Sequence, residues 1–376
     1  MVDLAARAAG LAPLIMATRE EADANRNTSP QVVEALADAG LLQMYLPRSL
    51  GGPELPPLAA FCAIEELSRA DGSVGWCAMI ATLISQFTAW LRPSVARSIA
   101  GVPADLRGAG SLRPLGQARA VDGGYRISGR WNFASGIGYA NWLYCTCRVV
   151  DGDMACKPLL RAAWIPSKAA KVIDTWSVVG LRGTGSNDFL VDDCFVERAY
   201  TMSFAEPPFE CGALYSPRLF FVTLWVVTAA NALGIARGAI DTFIDLAGQI
   251  STSSSVPLRD RPAVQSGVAE AEAILGAARA FVVDAVGAAW DAASGSDPGL
   301  AVARARLAIT HSIHEAVRAV DLVFHAAGTN ALYNSNALER HWRDVHAVVQ
   351  HNAAFHAHYE SAGKVLLGLR PTEPGW

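Results

Sequence analysis

Histidine is the residue type that this chain concentrates in one place. All eight histidines lie between His311 and His358, in the last fifth of 376 residues. An imidazole gains or loses its charge near neutral pH, so such a segment suits proton transfer, hydrogen bonding in a pocket or metal binding. The spacing of the histidines is the first way to choose among these chemistries.

The spacing argues against a metal site. His346, His351 and His356 are five residues apart, which turns successive side chains of an α-helix by about 140°. On one unbroken helix the three imidazoles would point in three directions. The chain also has no His-Glu-x-x-His and no Cys-x-x-Cys motif. We therefore predict no metal ion, and one histidine that acts as an acid, a base or a hydrogen-bond partner, the others being solvated or in the core.

The composition is that of an apolar protein without a basic surface. Hydrophobic residues make up 52% of the chain and charged residues 18%, with a formal net charge of -4. Nucleic-acid binding thus has no electrostatic support, and much apolar surface must be buried in a core or between subunits. Seven cysteines without a paired framework, and no secretory signal, predict a cytoplasmic protein.

One apolar stretch has the length of a marginal membrane span. Leu219 to Ala236 holds eighteen residues without a charge. The stretch stands alone and contains Thr223, Asn231 and Gly234, which favours a buried central helix over a membrane helix. We predict no membrane association.

The chain that must position these groups divides into three parts. Residues 1–108 are predicted to be helical, with a helix start at Ser29-Pro30 and a long apolar helix from Ser73 to Trp90. Residues 109–205 alternate with a period of two, and Asp122-Gly123-Gly124 indicates a hairpin, so this part is predicted to be a β-barrel or sandwich.

Residues 206–376 return to a helical pattern. Three long helices are predicted, Pro217–Ala247, Pro262–Ala293 and Pro298–Ala327, with a fourth from Trp342 that carries the densest histidines. Long helices joined by short loops are typical of a four-helix bundle.

Several common catalytic motifs are absent from the sequence. Gly183-Thr184-Gly185 lacks the third glycine of a dinucleotide fingerprint and precedes a strand. No Walker phosphate loop and no Gly-x-Ser-x-Gly elbow occur. The sequence therefore predicts no nicotinamide binding by the usual fold.

This order of parts resembles the acyl-CoA dehydrogenase superfamily. The resemblance implies an acyl-CoA dehydrogenase-like fold: an α-helical N-terminal domain (1–108), a middle β-barrel or sandwich domain (109–205) and a C-terminal four-helix bundle (206–376). Three motifs carry it: Trp131-Asn132-Phe133-Ala134-Ser135-Gly136, then Asp174-Thr175-Trp176 with Gly180 to Asp188, then Arg340-His341-Trp342-Arg343-Asp344.

Two branches of the superfamily differ in the base that they need. Dehydrogenases of the family use a glutamate at positions that match Asn352 or Leu224, and neither residue accepts a proton at neutral pH. A dehydrogenase or oxidase would need a relocated base, for which Asp241, Glu270 and Glu272 are the candidates.

His351 lies where the flavin-dependent monooxygenases of the superfamily carry a histidine. The chain resembles the 4-hydroxyphenylacetate, dibenzothiophene and steroid-phenol monooxygenases, which are oxygenase components of two-component systems. The resemblance implies reduced FMN or FAD from a separate NAD(P)H:flavin reductase, reaction with O2 through a C4a-(hydro)peroxyflavin, and hydroxylation of a hydrophobic, aromatic small molecule. It also implies a homotetramer.

The same resemblance implies roles for individual residues. His351 would be the base or the donor that holds the peroxide, and Ser135 would hydrogen-bond near flavin N5. Trp131 and Phe133 would lie along the isoalloxazine, and Arg259 would reach a flavin phosphate. The other implied flavin positions are Ser111, Gly328 and Asn330, and the implied substrate positions are Trp76, Ile80, Ile84 and Asn352.

One departure from the family pattern concerns the substrate. Phenol hydroxylases of the family carry a second histidine after the Gly-Trp pair, and the matching residue here is Ile84, after Gly75-Trp76. Polycyclic aromatic, indole-like, sulfur and amine substrates therefore stay open, including N- or S-oxygenation. FMN and FAD are not distinguished. A catalytically inactive flavin-fold protein that serves as a binding partner is the third alternative.

Overall fold

The computed structural model describes residues 3–102, 104–150, 159–248, 256–295 and 299–371. Within these ranges the chain forms a helical part, a β-sheet and a second helical part, in that order. The predicted fold class is confirmed. One large apolar core runs through both helical parts, and a smaller one fills the sheet.

The N-terminal part consists of helices packed around α4 and α5. Its described α-helices are α1 (Leu4–Gly10), α2 (Ala12–Asn25), α3 (Pro30–Asp38), α4 (Pro57–Ala70), α5 (Gly72–Gln86) and α6 (Pro93–Ala100). The predicted start of α3 is confirmed, because Ser29 Oγ accepts the Val32 N–H and Pro30 is the first helical residue. The helix predicted to reach Trp90 is α-helical only to Gln86 and continues as a 3-10 turn.

A close helix–helix contact fixes α5 against α4. Asp71 Oδ1 accepts the N–H groups of Ser73 and Val74 and so caps α5. A Cβ at Gly75 would overlap the hydroxyl of Ser68 on α4, so only glycine permits this approach. The side chain after Gly75, Trp76, is thereby held in one place relative to the core.

The middle part is one seven-stranded sheet. Its strands are β1 (Gly108–Val121), β2 (Gly124–Trp131), β3 (Trp142–Val149), β4 (Leu160–Pro166), β5 (Lys171–Ile173), β6 (Asp188–Glu197) and β7 (Thr201–Met202), in the order β5-β6-β2-β1-β3-β4-β7. Neighbouring strands are antiparallel except β1 and β3. The predicted hairpin joins β1 to β2, with Val121 opposite Gly124 and Gly123 in the left-handed region (φ 76°).

The C-terminal part is the helical bundle. Its described α-helices are α7 (Phe220–Ala247), α8 (Pro262–Asp291), α9 (Gly299–Ala327), α10 (Ala337–Val348) and α11 (Ala357–Leu366). Two helical stretches, Pro217–Ala247 and Pro262–Asp291, are long and apolar enough to cross a membrane. The apolar window of the first is 89% buried inside the protein, as a core helix should be.

The histidine segment departs from the prediction in two ways. The fourth long element, α10, begins at Ala337 rather than Trp342, because the Asn336 side chain accepts the Leu338 N–H and caps the helix earlier. α10 then ends at Val348, and a 3-10 turn (Asn352–Ala354) separates it from α11. The densest histidines therefore lie on a helix, a turn and a second helix.

Candidate active site

Three residues from distant parts of the chain meet where the two helical parts approach the sheet. Trp76 Nε1 on α5 donates a hydrogen bond to Ser135 Oγ, in the loop after β2, at 3.0 Å. The ring of His351, in the turn after α10, meets the Trp76 ring edge-on with centroids 5.5 Å apart. The structure thus brings together three residues that the sequence proposed for the site.

The loop that carries Ser135 is tied to the second sheet motif. The Ala134 N–H donates to Asn187 O at 3.2 Å, and the Gly136 N–H donates to Thr184 O at 2.9 Å. Ser135 Oγ lies 2.7 Å from Ser186 Oγ, and both hydroxyls are buried. Ser135 is therefore held from both its backbone and its side chain.

His351 is held as a neutral imidazole. Its Nδ1 accepts the Ala353 N–H at 3.2 Å, so the proton of the neutral ring belongs on Nε2. Burial lowers the pKa of His351 to about 4, because the charged form loses its solvation. At neutral pH the residue is thus an N–H donor through Nε2 and a poor base.

An exposed aromatic face lies beside this group. Phe133 is 56% exposed, and its backbone adopts a positive φ of 62°. The Trp176 ring meets it edge-on at 6.1 Å, and the Arg113 guanidinium carbon lies 6.0 Å from its centroid. Ser111 Oγ accepts the backbone N–H of Arg113 at 3.3 Å. An open aromatic ring beside a cation fits the flat, polar-edged ring system of a flavin.

Trp131 does not belong to this face, and the prediction for it is wrong. The side chain is 0% exposed, stacks on Phe189 at 5.2 Å and donates from Nε1 to Thr146 O at 2.7 Å. The period of two would put residues 131 and 133 on one face. The strand ends at Trp131, however, and the left-handed backbone at Phe133 turns that ring outward.

The predicted substrate residues on α5 share one face. Trp76, Ile80 and Ile84 are spaced by four, so successive side chains differ by about 40° around the helix. Ile84 is buried against β1, where a Cβ at Gly108 would overlap its side chain. Asn352 is exposed at the start of the 3-10 turn, and its carbonyl accepts a bond from His358 Nε2.

The other predicted flavin positions lie in the turns before α8 and α10. Arg259 has a side chain 68% exposed, in a short turn before α8. Gly328 adopts φ 60° at the start of the turn before α10, and Asn330 O accepts a bond from Asn336. Across the described part of the chain, no hydrogen bond joins these residues to the Trp76 group.

Two further residues of the site were not singled out by sequence reasoning. Thr184 Oγ1 lies 2.6 Å from Ser186 Oγ and donates to Leu181 O at 2.8 Å, and both side chains are buried. The signal available was the alternation of small polar residues and glycine in the second sheet motif. Their burial could be known only once Ser135 was placed beside them.

A charged group lies behind the site, which we call the carboxyl cluster. Its members are Arg19, Asp71, Arg340, His341 and Asp344. Asp344 Oδ1 accepts the Leu181 N–H at 2.6 Å and so ties α10 to the second sheet motif. Burial raises the pKa of Asp344 to about 7 and raises that of Asp71, while burial and two neighbouring arginines lower the pKa of His341 to about 3.

No metal centre accompanies these groups in the ranges that the structure describes, where no three histidine, cysteine or acidic side chains are close enough to hold an ion.

A helical part, a sheet and a helical bundle that meet at an aromatic, hydroxyl-rich cluster define the acyl-CoA dehydrogenase fold. The family model described as "Acyl-CoA dehydrogenase, N-terminal domain" matches residues 8–90, and "Acyl-CoA dehydrogenase, C-terminal domain" matches residues 226–355. The chain belongs to this superfamily.

Similar proteins define the branch. The chain is 34% identical to the indole-3-acetate monooxygenase of Pseudomonas putida, over 95% of this chain and 91% of that protein. It is 29% identical to the oxygenase component of an FADH2-dependent resorcinol hydroxylase of Rhizobium sp., over 98% and 95%. The crystal structure of 3-HSA hydroxylase from Rhodococcus sp. RHA1 superimposes with a TM-score of 0.90 at 26% identity, covering 100% of this chain and 99% of that one. The chain belongs to the flavin-dependent monooxygenases, which are oxidoreductases that use reduced flavin and O2.

Proposed function

We propose that this chain is the oxygenase component of a two-component monooxygenase and hydroxylates an aromatic, hydrophobic small molecule. The observation that carries the proposal is the contact of neutral His351 with Trp76, which is itself hydrogen-bonded to Ser135. The positions that match the dehydrogenase base hold Asn352 and Leu224, and the histidine of the monooxygenases is present as His351.

Reduced flavin, when bound, supplies the two electrons that let one oxygen atom of O2 enter the substrate while the other leaves as water. Phe133, Ser111 and Ser135 would hold its ring system. Of the two roles that the resemblance allowed His351, the structure favours the donor, since Nδ1 is occupied by the Ala353 N–H and the lowered pKa makes the ring a weak base. Nε2 therefore keeps its proton at neutral pH and is available to hold an oxygen acceptor.

The apolar face of α5 supports an aromatic guest. Trp76, Ile80 and Ile84 offer ring and branched aliphatic surface, which excludes water and accepts a flat apolar ring. Ile84 stands where phenol hydroxylases carry a second histidine, so a phenolic hydroxyl has no partner there. Indole rings are the first class to assay, because the relative at 34% identity is named for indole-3-acetate.

The dehydrogenase alternative is weakened by the surroundings of its candidate bases. Asp241 is paired with Arg69 at 2.7 Å and with Arg237 at 2.9 Å. Glu272 pairs with Arg237 at 2.8 Å, which lowers the pKa of that carboxyl. Carboxylates held in ion pairs at the bundle surface are poorly suited to remove a substrate proton.

We also infer a homotetramer, a cytoplasmic location and a separate NAD(P)H:flavin reductase. The apolar window of Pro262–Asp291 is only 33% buried within one chain, so its apolar surface is free to pack against another copy. Arg259 precedes this helix and would then reach the flavin of a neighbouring subunit. Light scattering of the purified protein, which measures its mass in solution, tests the tetramer.

The decisive experiment is the coupling of flavin oxidation to product. Purified protein receives reduced FMN or reduced FAD and an indole in oxygenated buffer, and product and hydrogen peroxide are both measured. We expect His351→Ala to lower product per reduced flavin by about tenfold to a hundredfold, as for the loss of one hydrogen bond to a charged acceptor. The dissociation constant of reduced flavin should change less than threefold.

The control variant is His351→Gln, whose amide restores a donor without a titratable group. Partial recovery of coupling, with a wild-type profile that is flat from pH 6 to 8, supports the donor role. Unchanged coupling in His351→Ala would remove the residue from the mechanism. Oxidation of an acyl-CoA without any reductase would establish a dehydrogenase, and binding of neither flavin form would indicate an inactive binding protein.

A further inference from the structure

Four side chains at the site form one continuous line of hydrogen bonds, which we call the hydroxyl chain: Trp76, Ser135, Ser186 and Thr184. Trp76 Nε1 contacts Ser135 Oγ at 3.0 Å, and Ser135 Oγ contacts Ser186 Oγ at 2.7 Å. Ser186 Oγ contacts Thr184 Oγ1 at 2.6 Å, and Thr184 Oγ1 contacts the carbonyl oxygen of Leu181 at 2.8 Å. All three hydroxyls are buried.

The two ends of the hydroxyl chain dictate its direction. An indole N–H can only donate, and a backbone carbonyl can only accept. Thr184 gives its single proton to Leu181 O, so it accepts from Ser186. The Ser186 proton is then used in the bond to Thr184, so Ser186 accepts from Ser135. Ser135 in turn accepts from Trp76. Every proton in the line points away from Trp76 and toward Leu181.

This direction leaves Ser135 with a defined role. Its proton is directed to Ser186 and one lone pair takes the Trp76 N–H, so the remaining lone pair can only accept. Reduced flavin carries an N–H at N5, whereas N5 of oxidised flavin is an acceptor. A Ser135 that is fixed as an acceptor complements the reduced form and opposes the oxidised one.

We propose that Ser186 and Thr184 are positioning residues that orient the Ser135 hydroxyl and thereby make the site prefer reduced over oxidised flavin. The proposal rests on the proposed function, which places Ser135 at flavin N5. It assigns a task to two residues that touch neither flavin nor substrate.

The size of the preference follows from the hydrogen bond that is lost when the hydroxyl chain reverses its direction. For Ser135 to donate to N5, Ser186 and Thr184 must both turn, and Leu181 O loses the Thr184 proton. That carbonyl still accepts Trp176 Nε1 at 3.1 Å, so a single hydrogen bond is lost. One buried hydrogen bond corresponds to a preference of about threefold to tenfold.

The surrounding loop keeps this geometry in place. Leu181 and Gly185 both adopt left-handed backbone, with φ of 54° and 52°, and the Leu181 N–H is bound to Asp344. Thr184 O also accepts the Gly136 N–H at 2.9 Å. The acceptor end of the line therefore cannot drift away from the loop that carries Ser135.

The test is the ratio of two dissociation constants, for oxidised and for reduced flavin, measured anaerobically by the change in tryptophan fluorescence. It needs no turnover. In Ser186→Ala the hydroxyl of Ser135 is released to donate, so the preference for reduced flavin should fall about threefold to tenfold. Thr184→Val removes the anchor while keeping its shape and should give the same fall. Ser186→Thr keeps the hydroxyl and should keep the wild-type ratio.

The matched control is Ser312→Ala, which removes a buried hydroxyl on α9 that donates to Ile309 O at 2.9 Å. Its ratio should equal that of the wild type. Folded Ser186→Ala and Thr184→Val proteins with ratios within twofold of the wild type would overturn the proposal. If one variant does not fold, the other carries the test. A wild type that binds neither form of flavin, or binds both equally, refutes the proposed function or the preference itself before any variant is compared.

Discussion

The hydroxyl chain and the carboxyl cluster are two buried polar regions that meet at one residue. Leu181 accepts from the hydroxyl chain through its carbonyl and donates to the carboxyl cluster through its N–H. The first region is neutral and lies where three parts of the fold open toward a ligand. The second is charged and lies behind it, among α2, α5 and α10.

The difference shows that this fold uses one buried polar region to orient a ligand and the other to hold helices and sheet together. A line of neutral hydroxyls has one donor-to-acceptor direction, which a hydrogen-bonding group of a ligand can match. It also adds no charge to the site. Buried charges are costly unless paired, so they serve better where they hold elements together and are never exposed to a ligand. The carboxyl cluster caps α5 through Asp71 and ties α10 to the sheet through Asp344.

The largest predicted effect comes from breaking the carboxyl cluster at Asp344. Asp344→Ala leaves the buried Leu181 N–H without its acceptor and removes a carboxyl close to Arg343. We expect the free energy of unfolding to fall by about 3 to 5 kcal/mol, because the buried Leu181 N–H loses its acceptor and the missing carboxyl leaves a cavity. Urea denaturation followed by far-UV circular dichroism measures it.

The matched variant for that change is Asp344→Asn. An amide oxygen still accepts the Leu181 N–H, so we expect a loss of about 1 kcal/mol or less at pH 7. If Asn proves as damaging as Ala, the charge rather than the hydrogen bond holds α10 to the sheet. The carboxyl cluster would then act through its charge and not through the hydrogen bond to Leu181.

The second prediction concerns how the free energy of unfolding depends on pH through Asp344. The pKa of Asp344 is raised to about 7 by burial, so between about pH 4 and 7 the native state binds more protons than the unfolded chain. Its stabilising contribution is complete below pH 4 and is lost as the pH rises through 7. Asp344→Asn should remove this slope, which we put on the order of 4 kcal/mol over that range.

The same pH series contains an internal comparison. The pKa values of His341 and His351 are lowered to about 3 and about 4, so both residues weaken the fold as the pH falls below about 6.5. That acid-side loss should appear in the wild type and in Asp344→Asn alike. An advantage of the wild type over Asp344→Asn in unfolding free energy that grows from pH 4 to pH 7 would mean that Asp344 is ionised in the native state, contrary to our assignment.

The architecture could be predicted from the sequence because its signals are local and repeated. Helix N-cap residues and the periodicity of apolar residues each predict a single element. Ser29-Pro30 predicts the start of α3, and the alternation after Gly124 predicts β2. The sequence predicts the start of α10 too late, because the Asn336 cap lies in a polar stretch that is also typical of a loop. Asn favours both loops and helix caps, so the residue type alone does not separate them.

The site was less predictable because it depends on contacts between distant residues. Trp131 and Phe133 have the same sequence signal, and only the left-handed backbone at Phe133 separates a core ring from an exposed one. Ser186 gains its meaning from Ser135, 51 residues away in the chain. His351 could be selected by resemblance, but its tautomer follows from the turn that places the Ala353 N–H on Nδ1.

The smallest predicted effect tests the junction itself. Leu181 is a leucine in left-handed backbone (φ 54°), a conformation that costs a residue with a Cβ roughly 1 kcal/mol and costs glycine little. Leu181→Gly and Leu181→Ala lose nearly the same buried side chain, so Gly should be the more stable variant by about 1 kcal/mol. At Leu322, inside the last third of α9, the order should reverse, with Ala more stable than Gly by about 1 kcal/mol. Thermal and urea unfolding of the four variants decide it: if Ala is also preferred at residue 181, the backbone there is not left-handed, and the carbonyl that anchors the hydroxyl chain points elsewhere.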